Sequence, residues 1–148
     1  MPTVHTEVDI NAPADLVWSV LTDFDKYSDW HPSIQGIALY GPLKENTKGS
    51  LSVISKPGAS PSQVGMILTE VEPQKAMSWK GGMGPAWLAL GFHYHYLEPL
   101  PSGATRLVHG ETFSGVLFKL LWPLFKDKFD REYTAATAIF KRRCEAMN

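Results

Sequence analysis

Val4 to Ile10 alternates β-branched and polar residues, the two-residue period of a strand with one buried face. At "NAPADLVWSVLTDF" the spacing changes. Leu16, Val17, Val20, Leu21 and Phe24 recur at helical intervals. Pro13 suits the first helical position, where its missing N–H would have no partner. It also holds Ala12 extended, which ends the strand. Asp23 and Asp25 bracket a break, and "DKYSDWHP" predicts a second short helix stopped by Pro32.

From Ile34 to Phe113 the alternation returns. The runs Ile34–Tyr40, Ser50–Ser55, Gln63–Glu72, Ala76–Lys80, Phe92–Glu98 and Thr105–Phe113 are separated by Gly, Pro, Asn and Ser. That pattern predicts an antiparallel meander with short turns. Helical spacing then resumes at Leu121, Phe125, Phe129, Tyr133, Ala136, Phe140 and Cys144, with Lys126, Asp130, Arg131, Lys141 and Arg142 opposite. Pro123 should kink this helix or mark its start. The order of strand, two short helices, roughly six strands and one long helix is an α+β layer architecture. Its long helix must bury an aromatic stripe against the sheet.

Composition narrows the function classes. A chain of 148 residues fits one domain, 1–148. Its formal net charge of -1 gives no general attraction to nucleic acid. No apolar run approaches the ~18 residues that span a bilayer. The best candidate, "GVLFKLLWPLF", is interrupted by Lys119 and Pro123, so no stable membrane insertion is expected. "MPTVHTEVDI" has no basic region followed by an apolar run, so a cytoplasmic location is expected. Cys144 is the only cysteine, which excludes an intramolecular disulfide and a zinc–thiolate cluster. Oligomeric state stays open, a homodimer included.

Several runs carry a family resemblance: "INAPADLVWSVLTDFDKYSDWHPSI", "MSWKGG", "FHYHYLEP" and "TRLVHGETFSGVL". In this order they resemble the polyketide cyclase/START-like (SRPBCC) superfamily, relatives of plant pollen allergens and lipid-transfer domains. The resemblance covers nearly the whole chain. It implies a helix-grip fold: a curved seven-stranded antiparallel sheet wrapped around the long C-terminal helix, two short helices after the first strand, and an internal cavity for an apolar ligand. It implies no metal or other cofactor. Functions within such a fold are diverse, so the fold does not fix the activity.

Strand alternation says which side chains face that cavity. Met77 and Trp79 share an inner face, and Ser78 and Lys80 share the outer one. Leu51, Val53, Val64, Met66 and Leu68 point inward, and a bulge near Thr69 lets Val71 do the same. In "FHYHYLEPLPSGATRLVHGETF", Leu97 and Leu107 belong inside. Counting by two places His93 and His95 with Leu97, and His109, Glu111 and Phe113 with Leu107. Pairing Leu97 with Leu107 sets His95 opposite His109 and His93 opposite Glu111, with Cβ atoms about 4.5–5.5 Å apart. A one-residue slip would break these pairs.

Three readings of this cluster stand. His93 and Glu111 form a buried polar pair that orients a ligand, in line with the resemblance, where a His and a Glu often hold these positions. Or His93, His95 and His109 bind a metal with Glu111 as fourth ligand. Or His93 and Glu111 are a catalytic acid–base pair. No nucleophile motif accompanies them, and Cys144 reads as packing. Trp30 and His31 either gate the cavity mouth or are a core-capping Trp and an exposed His. "GGMGPAWLALGF" lacks the Lys and following helix of a phosphate cradle. It reads as a loop whose Met83, Trp87 and Leu88 form a lid, or as a surface loop with one anchored Trp. The stripe Phe125, Phe129, Tyr133 and Phe140 reads first as core; its functional reading is that Phe129 and Tyr133 form the cavity floor, with the Tyr133 phenol offered to a ligand carbonyl. "KRR" (Lys141–Arg143) reads as a solvated helix end that suits the helix dipole, or as a contact for anionic lipid.

The expected function is binding of a small, mainly apolar molecule of lipid, polyketide or aromatic type. The expected ligand-binding residues are Trp30, Met77, Trp79, His93, His95, His109, Glu111, Phe129 and Tyr133. Two alternatives remain: an enzyme of the cyclase/aromatase or hydratase kind that uses His93 and Glu111, and a module that presents its loops to a protein partner.

Overall fold

The computed structural model describes residues 1–148. The alternating segments are strands β1 (Thr3–Ile10), β2 (Ile34–Leu39), β3 (Lys48–Val53), β4 (Ser62–Glu72), β5 (Ala76–Gly82), β6 (Leu90–Pro99) and β7 (Thr105–Ser114). The helical segments are α1 (Ala14–Leu21), a 3-10 helix (Phe24–Asp29) and α2 (Val116–Ala146). Pro13 sits at the N-cap of α1 in an extended conformation, φ -69° and ψ 157°. Its ring fixes φ near this value, so strand and helix meet without strain.

The strands form one antiparallel sheet in the order β1-β7-β6-β5-β4-β3-β2. Sequence neighbours pair throughout, except that β1 closes against β7. The register of β6 and β7 sets Leu97 against Leu107, His95 against His109 and His93 against Glu111. In β4 the pairing shifts between Leu68 and Glu70. This bulge flips the alternation, so Met66, Leu68 and then Val71 all reach the core side.

The core lies between the sheet's inner face and the helices. Leu51, Met77, Trp79, Leu97 and Leu107 pack with Val17, Val20 and Leu21 of α1 and with Ala136, Phe140 and Cys144 of α2. Each large side chain buried there stabilises the fold by about 1.5–3 kcal/mol. Ser78 stays on the outer face with Lys80 but departs from the solvent exposure expected there. It is buried, and its hydroxyl lies 2.7 Å from that of Thr69. Its cross-strand neighbour Tyr94 is buried too, so part of the outer face is covered.

The aromatic stripe of α2 is not buried along its length. Tyr133, Ala136, Thr137, Phe140 and Cys144 are buried. Leu121, Phe125 and Phe129 are only half-buried. Val116, Leu120 and Leu124 are exposed on the same half of the helix. Pro123 lies inside α2 and does not start it. No helix is long and apolar enough to cross a membrane. Phe113 anchors this outer half by stacking on Phe129 at 4.9 Å and packing on Phe118 at 4.7 Å.

Candidate functional site

Next to that Phe113 cluster is a cavity of about 270 Å³. Its apolar walls come from Leu51, Val53, Val64, Trp79, Phe113 and Phe129. Its polar residues include His31, His93, Glu111 and Tyr133. A dry cavity of about 150 Å³ holds benzene, so this space suits a compact molecule of one or two rings.

Strand pairing builds the polar corner. His93 and Glu111 are directly opposed, and Tyr133 of α2 comes down over both. The Tyr133 hydroxyl donates to Glu111 Oε1. The Tyr133 hydroxyl oxygen lies 3.2 Å from His93 Nδ1, while His93 Nδ1 and Glu111 Oε1 are 3.6 Å apart. Tyr133 therefore bridges the pair. Its proton is committed to Glu111 and is not free for a ligand carbonyl. Glu111 keeps 20% of its side chain accessible, against 3% for His93. Gly91 makes the room. An added Cβ there would collide with Glu111 Oε2.

A second layer stands behind His93. Its Nε2 is 2.9 Å from Nε2 of His109, a diagonal neighbour across the ladder. His109 Nδ1 lies 3.1 Å from the Thr137 hydroxyl, which lies 2.8 Å from that of Thr6. Thr6 in turn donates to the His109 carbonyl at 2.8 Å. His95 Nδ1 donates to the Met77 carbonyl at 3.2 Å, and its Nε2 is buried without a partner. His31 Nδ1 accepts the backbone N–H groups of Ser33 at 3.1 Å and Ile34 at 2.9 Å.

Burial sets the charge states. Desolvation pushes His31 down to about 3, helped by the nearby His95. It pushes His95 down to about 4, partly opposed by the bond to Met77. His93 and His109 lie well below the usual imidazole range, by desolvation first and then by the neighbouring histidines. Glu111 is pushed up to about 7 by desolvation, with the Tyr133 hydrogen bond pulling the other way. At neutral pH the four imidazoles are uncharged. Glu111 sits near the midpoint of its titration, the range suited to proton transfer.

The residues expected at the site divide into two groups. Trp79, His93, Glu111, Phe129 and Tyr133 line the cavity. Met77, His95, His109 and Trp30 are buried outside its lining. Trp30 is core, not a gate: its ring lies 4.5 Å from Tyr27 and 4.8 Å from Phe140. His31 is 3% exposed and lines the cavity, unlike the exposed His considered from sequence. Met83 lines the cavity too, whereas the Trp87 side chain is exposed. Sequence reasoning offered His31 at the cavity mouth as one of two readings, and missed the role of Gly91. A glycine inside an alternating strand is a signal of close approach, but the run of glycines in "GGMGPAWLALGF" groups Gly91 with the loop.

A curved sheet gripping a C-terminal helix, with a mainly apolar cavity between them, defines a helix-grip ligand-cavity protein. The chain belongs to the family described as polyketide cyclase/dehydrase and lipid transport, whose model matches residues 1–145. Among solved structures it resembles the Zhui aromatase/cyclase from Streptomyces sp. R1128, with 18% identity over 97% of this chain and 93% of that one, TM-score 0.75. It also resembles the hypothetical protein jhp0584 from Helicobacter pylori, 18% identical over 97% and 88% of the two chains, TM-score 0.80. A third likeness is to Ara h 8.0201, 15% identical over 94% and 97%, TM-score 0.64. At such identities these likenesses concern the fold alone. No curated protein matches the chain in sequence.

Proposed function

We propose that the cavity receives a small, mainly apolar molecule of one or two rings that carries a single hydroxyl or carbonyl oxygen. The observation that supports this is the cavity's division into two parts. Its walls are mainly apolar, and of its two lining carboxyls, Glu111 and Glu132, Glu111 is held in place by Tyr133 and the Gly91 slot. A ring system fills the apolar part, and its oxygen pairs with Glu111. Membership of a family that includes lipid transport fits this reading.

2-Naphthol is a suitable probe. Calorimetry should give saturable binding at one molecule per chain, and the melting temperature should rise with probe concentration. At about 100 times Kd the linkage amounts to about 2.7 kcal/mol. Val64→Trp should fill the cavity and abolish both effects while the fold persists. Equal binding by wild type and Val64→Trp would overturn the proposal.

A second reading is an enzyme of the cyclase/aromatase or hydratase kind. It is favoured by one observation: Glu111, which lines the cavity, also starts a hydrogen-bonded chain through Tyr133 to His93. Under this reading Glu111→Gln lowers turnover of a β-hydroxy ketone by about 10²–10⁴ while 2-naphthol affinity changes little. No turnover by the wild type would leave the binding role alone.

A further inference from the structure

Three buried imidazoles meet behind the cavity wall, and the hydrogen bonds around them fix which ring nitrogens carry hydrogen. His95 Nδ1 is 3.2 Å from the Met77 carbonyl, which can only accept, so Nδ1 carries the hydrogen and Nε2 is bare. Thr6 gives its hydroxyl hydrogen to the His109 carbonyl. Thr137 must then give its own to Thr6, and accept from His109 Nδ1 at 3.1 Å. His109 Nε2 is therefore bare. Tyr133 gives its hydrogen to Glu111, so its oxygen accepts from His93 Nδ1 at 3.2 Å. His93 Nε2 is then bare as well, and it faces His109 Nε2 at 2.9 Å.

Two lone pairs at that distance repel, and the His95 Nε2 lone pair is buried with no partner. A proton between His93 and His109 would satisfy one pair and leave His95 bare. A single dication satisfies all three. We propose that His93, His95 and His109 form a binding site for one divalent first-row transition ion, with Zn²⁺ the preferred occupant.

The three rings stand close enough to gather round such an ion after modest rotation. One ring nitrogen from each residue lies within 4.8 Å of the others, and ligands at about 2.0–2.1 Å from one ion are at most about 4.2 Å apart. Ring centroids are 4.7, 4.8 and 5.0 Å apart, near the about 5 Å of end-on imidazoles, with planes inclined by 14–26°. Binding therefore turns the rings about their side-chain bonds so that each plane contains the ion. Each outer nitrogen is anchored on an oxygen: the Met77 carbonyl, the Thr137 hydroxyl or the Tyr133 hydroxyl. Anchors of this kind orient metal-bound histidines. An all-imidazole set suits zinc and its neighbours and disfavours Mg²⁺ and Ca²⁺. Glu111 is not a fourth ligand, because it joins His93 on the outer, Nδ1 side through Tyr133. Nor is His31, whose Nδ1 accepts two backbone N–H groups and whose Nε2 therefore carries the hydrogen.

The test is a titration of chelator-treated full-length protein with ZnCl₂ by calorimetry and with CoCl₂ by visible absorption, MgCl₂ serving as control. One Zn²⁺ per chain, a saturable cobalt spectrum and no response to magnesium are expected. His95→Phe should weaken Zn²⁺ binding by about 100-fold or more while the circular dichroism of the metal-free protein is unchanged. If that variant does not fold, histidine ¹⁵N spectra of the wild type decide. Zinc should shift Nε2 of His93, His95 and His109 together and leave their Nδ1–H signals in place. Absence of saturable zinc binding up to about 1 mM, or shifts confined to the exposed His5, would overturn the proposal.

Discussion

Gly91 carries no side chain where the carboxyl group of Glu111 lies, and a Cβ added there would overlap Glu111 Oε2. The two residues sit on neighbouring strands, so the smallest residue on β6 positions the only carboxyl that the cavity draws from β7. Gly91→Ala is expected to push the carboxyl off Tyr133 while the fold survives, because the displaced atom ends a side chain. The 2-naphthol affinity should fall by about tenfold, equivalent to about 1.4 kcal/mol. Gly110→Ala is the contrasting control. Its added Cβ would overlap the Val4 carbonyl and the Tyr94 ring, neither of which can easily move. It should lower the melting temperature more than Gly91→Ala does. A reversed order would refute the slot.

Tyr133→Phe removes the bridge between His93 and Glu111. Two buried polar groups lose a partner, which costs about 1–3 kcal/mol for each group left unsatisfied. Urea unfolding should show a lower midpoint with an unchanged slope. The hydrogen bond from Tyr133 lowers the Glu111 pKa, so its loss should move that pKa further up from about 7. Carboxyl ¹³C shifts recorded against pH check this.

Stability of the metal-free protein should peak near pH 6.5. His31 and His95 stay neutral in the fold down to about 3 and about 4, against an ordinary value of 6.5. The unfolded chain therefore binds protons that the fold refuses as pH falls below 6.5. Each such histidine contributes stability above 6.5 that is lost on acidification, at about 1.4 kcal/mol per pH unit. Glu111 acts in the opposite sense. Its raised pKa of about 7, against 4.5, gives stability that is present below 4.5 and lost as pH rises through 7. His93 and His109 add to the histidine side, so the histidines prevail between 4.5 and 6.5. Denaturant midpoints measured from pH 4 to 8 test the sign. A midpoint that rises on acidification from 6.5 would contradict it.

Cys144 should report global unfolding. It is fully buried, and desolvation lifts its thiol to about 12. The thiolate is the reactive form, so a disulfide reagent at pH 8 should label the native protein only at the rate of unfolding. Urea should accelerate labelling in step with the loss of circular dichroism. Rapid stoichiometric labelling in buffer would show that the end of α2 opens locally.

Much of the site was legible because strands have a strict two-residue period. Once Leu97 and Leu107 were placed inside, His93, His95, His109 and Glu111 followed, and the hairpin register matches that count. Even the bulge beside Thr69 could be read from the shift in apolar positions of β4. Alternation says nothing of how a ring rotates about its own bonds. The His93–His109 contact runs diagonally, not between the opposed residues, and only packing against α2 decides that. His31 and Trp30 follow a 3-10 helix, where no simple period assigns an inside.

By itself the sequence determined the order of elements, the inner face of each strand and the pairing of the two histidine-bearing strands. Those follow from local periodicity and turn chemistry, which act over a few neighbouring residues. Tertiary structure alone decided how far α2 is buried, that Tyr133 stands between His93 and Glu111, and which ring nitrogens meet. Such contacts join residues such as Thr6 and Thr137, far apart in the chain, and depend on how the helix lies across the curved sheet.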